Sequence, residues 1–424
     1  MSAREHRGAE QADVLVLGAG IVGVCVAAQL QLHGQQVVLL DRRAAGEETS
    51  FGNAGLIQRE AVFPHAFPRA PGALLRYALN RAPEAHYHRA MLPRLLGPFA
   101  RYWHHSHPRR YGVIARHYAA LIAHCVDDHL ALAEAAGASD LLRPGGWTQA
   151  HQDPRTLATA LAEAELAQRE FGVEHEALDA AALAQHEPHL RPTLAGGLRW
   201  TQPVAVIDPH ALTLAYLALF EQRGGAMRLG DAFSLRRQEA GWRVTTEDGE
   251  TIEAPRVVVA LGAWSPALTR RWRDRPPIFV KRGYHMHYQP EGNAFLRGPV
   301  LDVSGGYMLA PMRRGIRLTT GAEFAQLGAD PTPVQLARAE PIARRMMPRL
   351  GTPLDPAPWV GARPCTPDML PIIGPTPRQP GVWYAFGHGH QGLTLGPTTG
   401  RLLAQMIVGE PCFTDPKPYR VDRF

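Results

Sequence analysis

The sequence predicts a doubly wound α/β domain with a second lobe of α+β character. Three stretches carry that prediction. Val14–Leu17 is a short apolar run rich in β-branched residues, which is the pattern of a buried strand. It runs into Gly18, Gly20 and Gly23 in GxGxxG spacing, then a helical pattern over 21–33 and a second apolar strand over 37–40. Val257-Val258-Val259-Ala260-Leu261-Gly262 is another fully apolar strand ending in glycine, as parallel sheets buried on both faces require. Residues 278–289 and 299–321 alternate in polarity between glycine turns, which predicts an antiparallel second lobe. At 424 residues the chain exceeds the usual size of a single core, so two lobes are expected.

The first unit is informative because its context is complete. Gly18 permits a tight turn, Gly20 lets backbone approach a pyrophosphate, and Gly23 lets helix and strand pack closely. Ile21 and Val22 open the helix, whose free N–H groups and partial positive charge suit phosphates. Asp41 ends the second strand 23 residues after Gly18, where a carboxylate can accept a hydrogen bond from a ribose hydroxyl. The stretch by itself is compatible with FAD or NAD.

Composition sets outer limits. Apolar residues at 45% and charged residues at 20% are ordinary for a globular protein. The net charge is +6, but no Lys/Arg block or aromatic–basic ladder marks a nucleic-acid groove, so no nucleic-acid partner is expected. Four cysteines lie far apart without a CxxC, which indicates neither a zinc site nor a disulfide framework; no metal is expected. The first dozen residues are polar and lack an apolar signal core, and no run approaches a membrane span. The expectation is a cytoplasmic protein, with peripheral contact to the inner membrane left open.

After Asp41 come Arg42 and Arg43, then Glu48-Thr49-Ser50-Phe51-Gly52-Asn53-Ala54-Gly55-Leu56. A loop of small residues and turn formers can lay N–H groups along a flat or phosphorylated ligand. Residues 60–110 are rich in Pro, Arg, His and aromatics without clean periodicity; His104, His105 and His107 are expected at the surface. Residues 113–136 and 155–171 read as amphipathic helices stopped by Gly137 and Gly172. Asp208-Pro209 places a capping residue and an N1 proline at the start of a helix running to about Gln222. Short strands follow around 226–235, 242–247 and 250–253, and residues 333–349 read as helix.

The carboxyl-terminal end holds the second informative region. Val382–Phe386 reads as a strand, Gly387-His388-Gly389-His390-Gln391-Gly392 follows, and a helix covers 394–408. This second GxGxxG is not a second dinucleotide unit, because too little chain remains for a return strand. What remains is a glycine-lined helix N-terminus that stabilises an anion. A single nucleotide unit leaves two options: NAD with a diffusible substrate, or FAD reduced by the substrate itself.

Five ordered motifs then resolve the choice by resemblance: GAGIVG, ETSFGNAG, VVVALGAWSP, GARPCTPDMLPIIG and YAFGHGHQGLTLGPTTGRLL. They make the chain similar to the FAD-dependent D-amino-acid oxidase superfamily, which includes glycine and sarcosine oxidases. It most resembles bacterial D-amino-acid dehydrogenases and hydroxy-D-proline dehydrogenases. The resemblance implies a Rossmann-like FAD-binding domain of the glutathione-reductase type over 12–80, 190–272 and 350–424. An antiparallel-sheet substrate domain would cover 81–189 and 273–349. It implies non-covalent FAD, with Cys365 shifted by one residue from the cysteine that attaches flavin in some relatives.

By the same resemblance, GAGIVG, Asp41, Arg42 and Arg43 hold the ADP half. Thr49, Ser50, Asn53, Ala54, Gly55 and Leu56 follow the pyrophosphate towards the ring. Phe233 stands where relatives touch adenine, while Ala260, Gly262 and Trp264 run beside the cofactor. Gly389, His390, Gly392, Leu393 and Thr394 face the pyrimidine edge. Arg363 is the expected carboxylate clamp, helped by Tyr307; Tyr284, Lys281, Arg282 and His285 belong to a strand lining the pocket. His390 and Gln391 border the substrate cavity, and His285, His287 and Tyr288 make a polar wall.

The expected reaction is oxidative deamination of a D-amino acid, with D-proline and hydroxy-D-proline as candidate substrates. Hydride would pass from Cα to flavin N5, giving an imine or 2-oxo acid. Electrons would go to a quinone or other carrier. The alternatives are a sarcosine-, glycine- or opine-type oxidase using O2, and a non-enzymatic FAD-binding assembly subunit. The basic–aromatic segment around 85–118 is a candidate contact with a membrane or a partner subunit.

Overall fold

The computed structural model describes residues 9–424 other than 81, 83, 84 and 192. Most of the polar amino-terminal stretch, residues 1–8, therefore lies outside the described residues.

Val14–Leu17 and Val37–Asp41 pair in parallel and form the middle of a six-stranded sheet. Across the sheet the order is Ala226–Leu229, Val37–Asp41, Val14–Leu17, Arg256–Val259, Val382–Phe386 and Ile372–Pro375, the last strand being antiparallel. These strands are apolar on both faces because both faces are covered. Val14, Val16, Val37 and Leu39 enter the larger core under the helices. Leu15, Leu17, Val38 and Leu40 enter a core shared with a small sheet that holds Trp242, Val244 and Ile252. Asp208 caps the helix Pro209–Gln222 by accepting the Ala211 N–H at 3.0 Å.

The first helix, Ile21–Leu32, lies against the closing helix, Gly392–Val408. Contact is close because Gly400 has no side chain: a Cβ there would stand 2.6 Å from the Cys25 carbonyl oxygen. The single helix expected over 113–136 is two helices, Pro108–Ile122 and Cys125–Ala135, interrupted at Ala123 and His124. The second half turns His129 onto the closing helix, where its Nε2 lies 2.7 Å from the Leu393 carbonyl.

The second sheet has eleven strands and is built around the long strand Phe279–Gln289. Trp359–Cys365 and Gly196–Trp200 both belong to it, although the sequence division placed both in the FAD-binding part. Conversely, Pro108–Ile122 and Cys125–Ala135 pack into the core of the nucleotide lobe. Sheet pairing therefore draws the lobes differently from chain order. Among the described residues, no helix is long and apolar enough to cross a membrane.

Candidate active site

One cavity of about 1280 Å³ runs from Gly18 and Asp41 to Lys281, Arg363 and His390. Small-molecule sites usually measure about 300–1000 Å³, so this one has room for a large cofactor with a substrate beside it.

Its first end is the glycine turn. A Cβ on Gly18 would meet the Ala260 carbonyl oxygen at 2.5 Å, and one on Gly23 would meet the Gly18 carbonyl oxygen at 1.8 Å. The glycines thus bring the helix N-terminus flush against two strands, leaving Gly20, Ile21 and Val22 on the cavity wall. The Ile21 N–H donates to Ser50 Oγ at 2.9 Å. Asp41 Oδ2 accepts the Ala19 N–H at 2.6 Å, and burial pushes this carboxyl up from its usual range. Arg42, Thr49, Asn53, Ala54, Leu56, Phe233, Ala260, Gly262 and Trp264 continue the wall.

Four expected cofactor residues do not reach the cavity. Gly23 is taken up by helix packing, and Arg43 is exposed. A Cβ on Gly55 would abut the Val206 carbonyl, so that glycine is a close approach between loop and strand. The buried Thr394 hydroxyl donates to the Leu56 carbonyl at 3.1 Å and so ties the loop to the closing helix. Gly389, His390, Gly392 and Leu393 do line the cavity.

The far end is decided by strand alternation. Successive side chains of a strand point to opposite faces of its sheet. On Phe279–Gln289, Lys281 and Gly283 line the cavity and His285 reaches the Gly52 carbonyl of the nucleotide lobe, while Tyr284 and Tyr288 pack in the core that holds the helix Val334–Met346. Lys281 stands directly opposite Arg363, and both line the cavity. Arg363 donates to the Gly321 carbonyl at 2.6 Å and weakly to that of Thr320 at 3.4 Å. Gly283 makes room for it, because a Cβ there would stand 2.2 Å from Arg363 Nη2.

The same alternation corrects the two expected tyrosines. The Tyr284 hydroxyl donates to Glu323 Oε2 at 2.7 Å, within a buried group that includes Arg282. Tyr307 borders the cavity, yet its hydroxyl donates to the buried Asp302 at 3.0 Å. Both rings pack in the core under the helix Val334–Met346, so neither phenol is offered to a ligand. The expected polar wall also fails to line the cavity. His285 stacks on Trp359, and His287 lies between Asp355 and Arg317. Tyr288 is on the far face. The nitrogens of His285 and His287 and a carboxylate oxygen of Asp355 do converge. However, both ring nitrogens of His287 are already engaged, Nδ1 with Asp355 Oδ2 at 2.7 Å and Nε2 with Arg317 Nε at 3.0 Å.

Several wall residues were not singled out from sequence. His65 lies 5.0 Å, ring to ring, from His390. Desolvation within the cavity first, then the fields of Lys281 and Arg363, push the His65 imidazole down to about 4; His390 is driven well down by desolvation, then by His65 and the same two cations. Both rings are therefore neutral at pH 7. Glu60 is buried on the wall, accepts from Trp147 Nε1 at 2.9 Å and Gln58 Nε2 at 2.8 Å, and is pushed up to about 7 by burial. Tyr102, Phe99 and Phe324 form an aromatic floor around Lys281. The one sequence signal for this floor is the spacing of Leu95, Phe99 and Tyr102 on one side of the helix Leu92–His105.

A family model described as FAD dependent oxidoreductase matches residues 13–406, nearly the whole chain. The chain belongs to that family. This FAD-dependent oxidoreductase is 34% identical to a D-amino acid dehydrogenase of Cereibacter sphaeroides, over 93% of this chain and 92% of that one. It is 31% identical to one from Methylobacterium nodulans, over 93% and 95%. Among solved structures it is similar to glycine oxidase from Geobacillus kaustophilus, with a TM-score of 0.74, 22% identity and coverage of 98% and 99%. FAD is the cofactor, and the cavity fits it: the glycine cradle and Asp41 stand at one end, and the N-terminus of the closing helix at the other.

Proposed function

We propose that the enzyme oxidises a D-amino acid at its Cα–N bond, the α-carboxylate being held by Arg363. The observation that carries this reading is Arg363 itself. It is half-buried on the cavity wall and bonded only to backbone carbonyls, with no carboxylate partner among the described residues. A guanidinium in that state is arranged for an incoming carboxylate, which it can grip through two parallel charge-assisted bonds. The names of the relatives, D-amino acid dehydrogenases, agree with this substrate class.

Bound FAD supplies the two-electron acceptance. The chain supplies orientation and charge. Arg363 fixes the Cα–H relative to the ring. The N–H groups at Gly392 and Leu393, at the start of the closing helix, would help hold the cofactor and would favour negative charge placed against them. His65 and His390, neutral and beside the substrate space, let the amine react in its unprotonated form without a side-chain base. Loss of the imine and its hydrolysis gives a 2-oxo acid and ammonia; a cyclic substrate leaves as a cyclic imine. FAD is held without a covalent bond, so acid precipitation should leave a colourless pellet.

Electrons pass to a quinone or another carrier, and the protein docks peripherally on an anionic membrane. Two features support docking. Leu75, Leu92, Leu96 and Trp103 are exposed large apolar residues on the helices Pro71–Ala78 and Leu92–His105, other residues of which line the cavity, and exposed Leu79 follows the first helix. Residues 61–126 carry nine arginines against one glutamate, Glu84. Sedimentation with anionic but not neutral vesicles tests this, and the ratio of dye reduction to peroxide formation separates carrier from O2.

The reading as a whole is tested by anaerobic bleaching of the bound flavin with a panel of D-amino acids and sarcosine. Arg363→Ala should keep the yellow cofactor while KM rises roughly a hundredfold, the loss of two charge-assisted bonds. A KM within a factor of two of the parent would overturn the assignment.

A further inference from the structure

Beside Arg363 the cavity wall carries a second cation that the proposed reaction does not use. Lys281 is the direct cross-strand neighbour of Arg363 and points to the same face. Its ammonium stands 5.0, 5.6 and 5.9 Å from the ring centroids of Tyr102, Phe279 and Phe324. No Asp or Glu of the described residues pairs with either cation. The other polar neighbours are the Tyr102 hydroxyl, hydrogen-bonded to Lys281, the Cys365 thiol, and His65 and His390, both pushed towards the neutral form. This part of the wall thus presents two half-buried positive charges with no carboxylate paired to either, the carboxylates elsewhere on the wall, such as Glu60, lying with other partners. Charges drawn partly out of water are ordinarily paired. A monocarboxylate amino acid with a neutral amine brings one negative charge and leaves one cation unmatched. An amino dicarboxylate brings two.

We propose that the substrate is an amino dicarboxylate, its α-carboxylate on Arg363 and its second carboxylate on Lys281. The aromatic floor of Phe99, Tyr102 and Phe324 then packs the methylene spacer. This rests on the reading of Arg363 given above. Lys281 becomes the residue that sets specificity, while Arg363 serves every substrate alike.

The test uses the FAD-loaded enzyme and begins with non-reacting acids, read by the change each makes in flavin absorbance. Glutarate should bind at least tenfold more tightly than butyrate. Lys281→Met should erase that preference, and Lys281→Arg should keep it. Turnover is then compared for D-aspartate, D-glutamate and iminodiacetate against D-alanine. The dicarboxylates should lead, and their kcat/KM relative to D-alanine should fall at least thirtyfold in Lys281→Met. Equal losses on mono- and dicarboxylates would overturn the proposal, as would an unchanged preference in Lys281→Met or its loss in Lys281→Arg. If glutarate selectivity holds and depends on Lys281 but no amino acid bleaches the flavin, the oxidation reading fails and the dicarboxylate site stands. If D-alanine is oxidised as well as D-glutamate, the oxidation reading stands and this proposal fails.

Discussion

The two ends of the cavity are built on different principles. The nucleotide end comes from a single stretch, Val14–Asp41, in which strand, turn, helix and second strand follow one another directly. The end proposed for the substrate is assembled from His65, Lys281, Arg363 and His390, which meet only because sheet pairing and helix packing bring them together. A local motif carries its chemistry in its spacing. A long-range wall carries it in register, and a one-residue shift would turn each side chain to the opposite face. The tyrosines show this: Tyr284 and Tyr307 have suitable chemistry, but their hydroxyls are engaged away from the ligand space.

This contrast can be broken at either end. The largest effect is expected at the nucleotide end. Gly23→Ala forces a Cβ to 1.8 Å from the Gly18 carbonyl oxygen; it should cost about 4 kcal/mol or more, and the protein should purify without flavin. A yellow, stable variant would show that the turn can relax. At the substrate end, Gly283→Ala pushes against Arg363 Nη2 instead. There FAD should stay bound and KM should rise roughly tenfold, about 1.4 kcal/mol. Loss of flavin in that variant would mean that the two ends are not separable.

A pH effect joins the ends. His129 holds the Leu393 carbonyl and is pushed down to about 4 by burial, partly offset by that hydrogen bond. A histidine whose folded value is depressed adds stability above its unfolded value near 6.5 and loses it as pH falls towards 4. Its share is roughly 3 kcal/mol on that basis. Glu60 and Glu187, both pushed up to about 7 by burial, act in the opposite sense: their share of stability grows as pH falls from about 7 to 4.5. Comparing denaturation of the parent with His129→Gln across pH 4–7 isolates the histidine, and the variant should show the shallower fall below 6.5. The smallest effects belong to the far face. Tyr284→Phe and Tyr307→Phe should leave kcat/KM within about threefold while each costs about 1 kcal/mol of stability. A large catalytic loss in either would restore the phenol to the site.

The sequence by itself determined the nucleotide lobe, because GxGxxG, the apolar strands and Asp41 act through neighbours within one βαβ unit. It also determined the family, through motifs that survive in order along the chain. Arg363 was legible as part of a motif, and the helix that begins at Gly392 was legible as a glycine-flanked N-terminus. Tertiary structure alone decided which residues share the wall. His65 sits in a stretch without periodicity, Lys281 is one residue from a side chain on the opposite face, and the aromatic floor joins residues about 220 positions apart, Tyr102 and Phe324. The physical reason is the two-residue period of a strand: chemistry can be read from residue type, but the face a side chain takes depends on the strand it pairs with and on the layer packed against it.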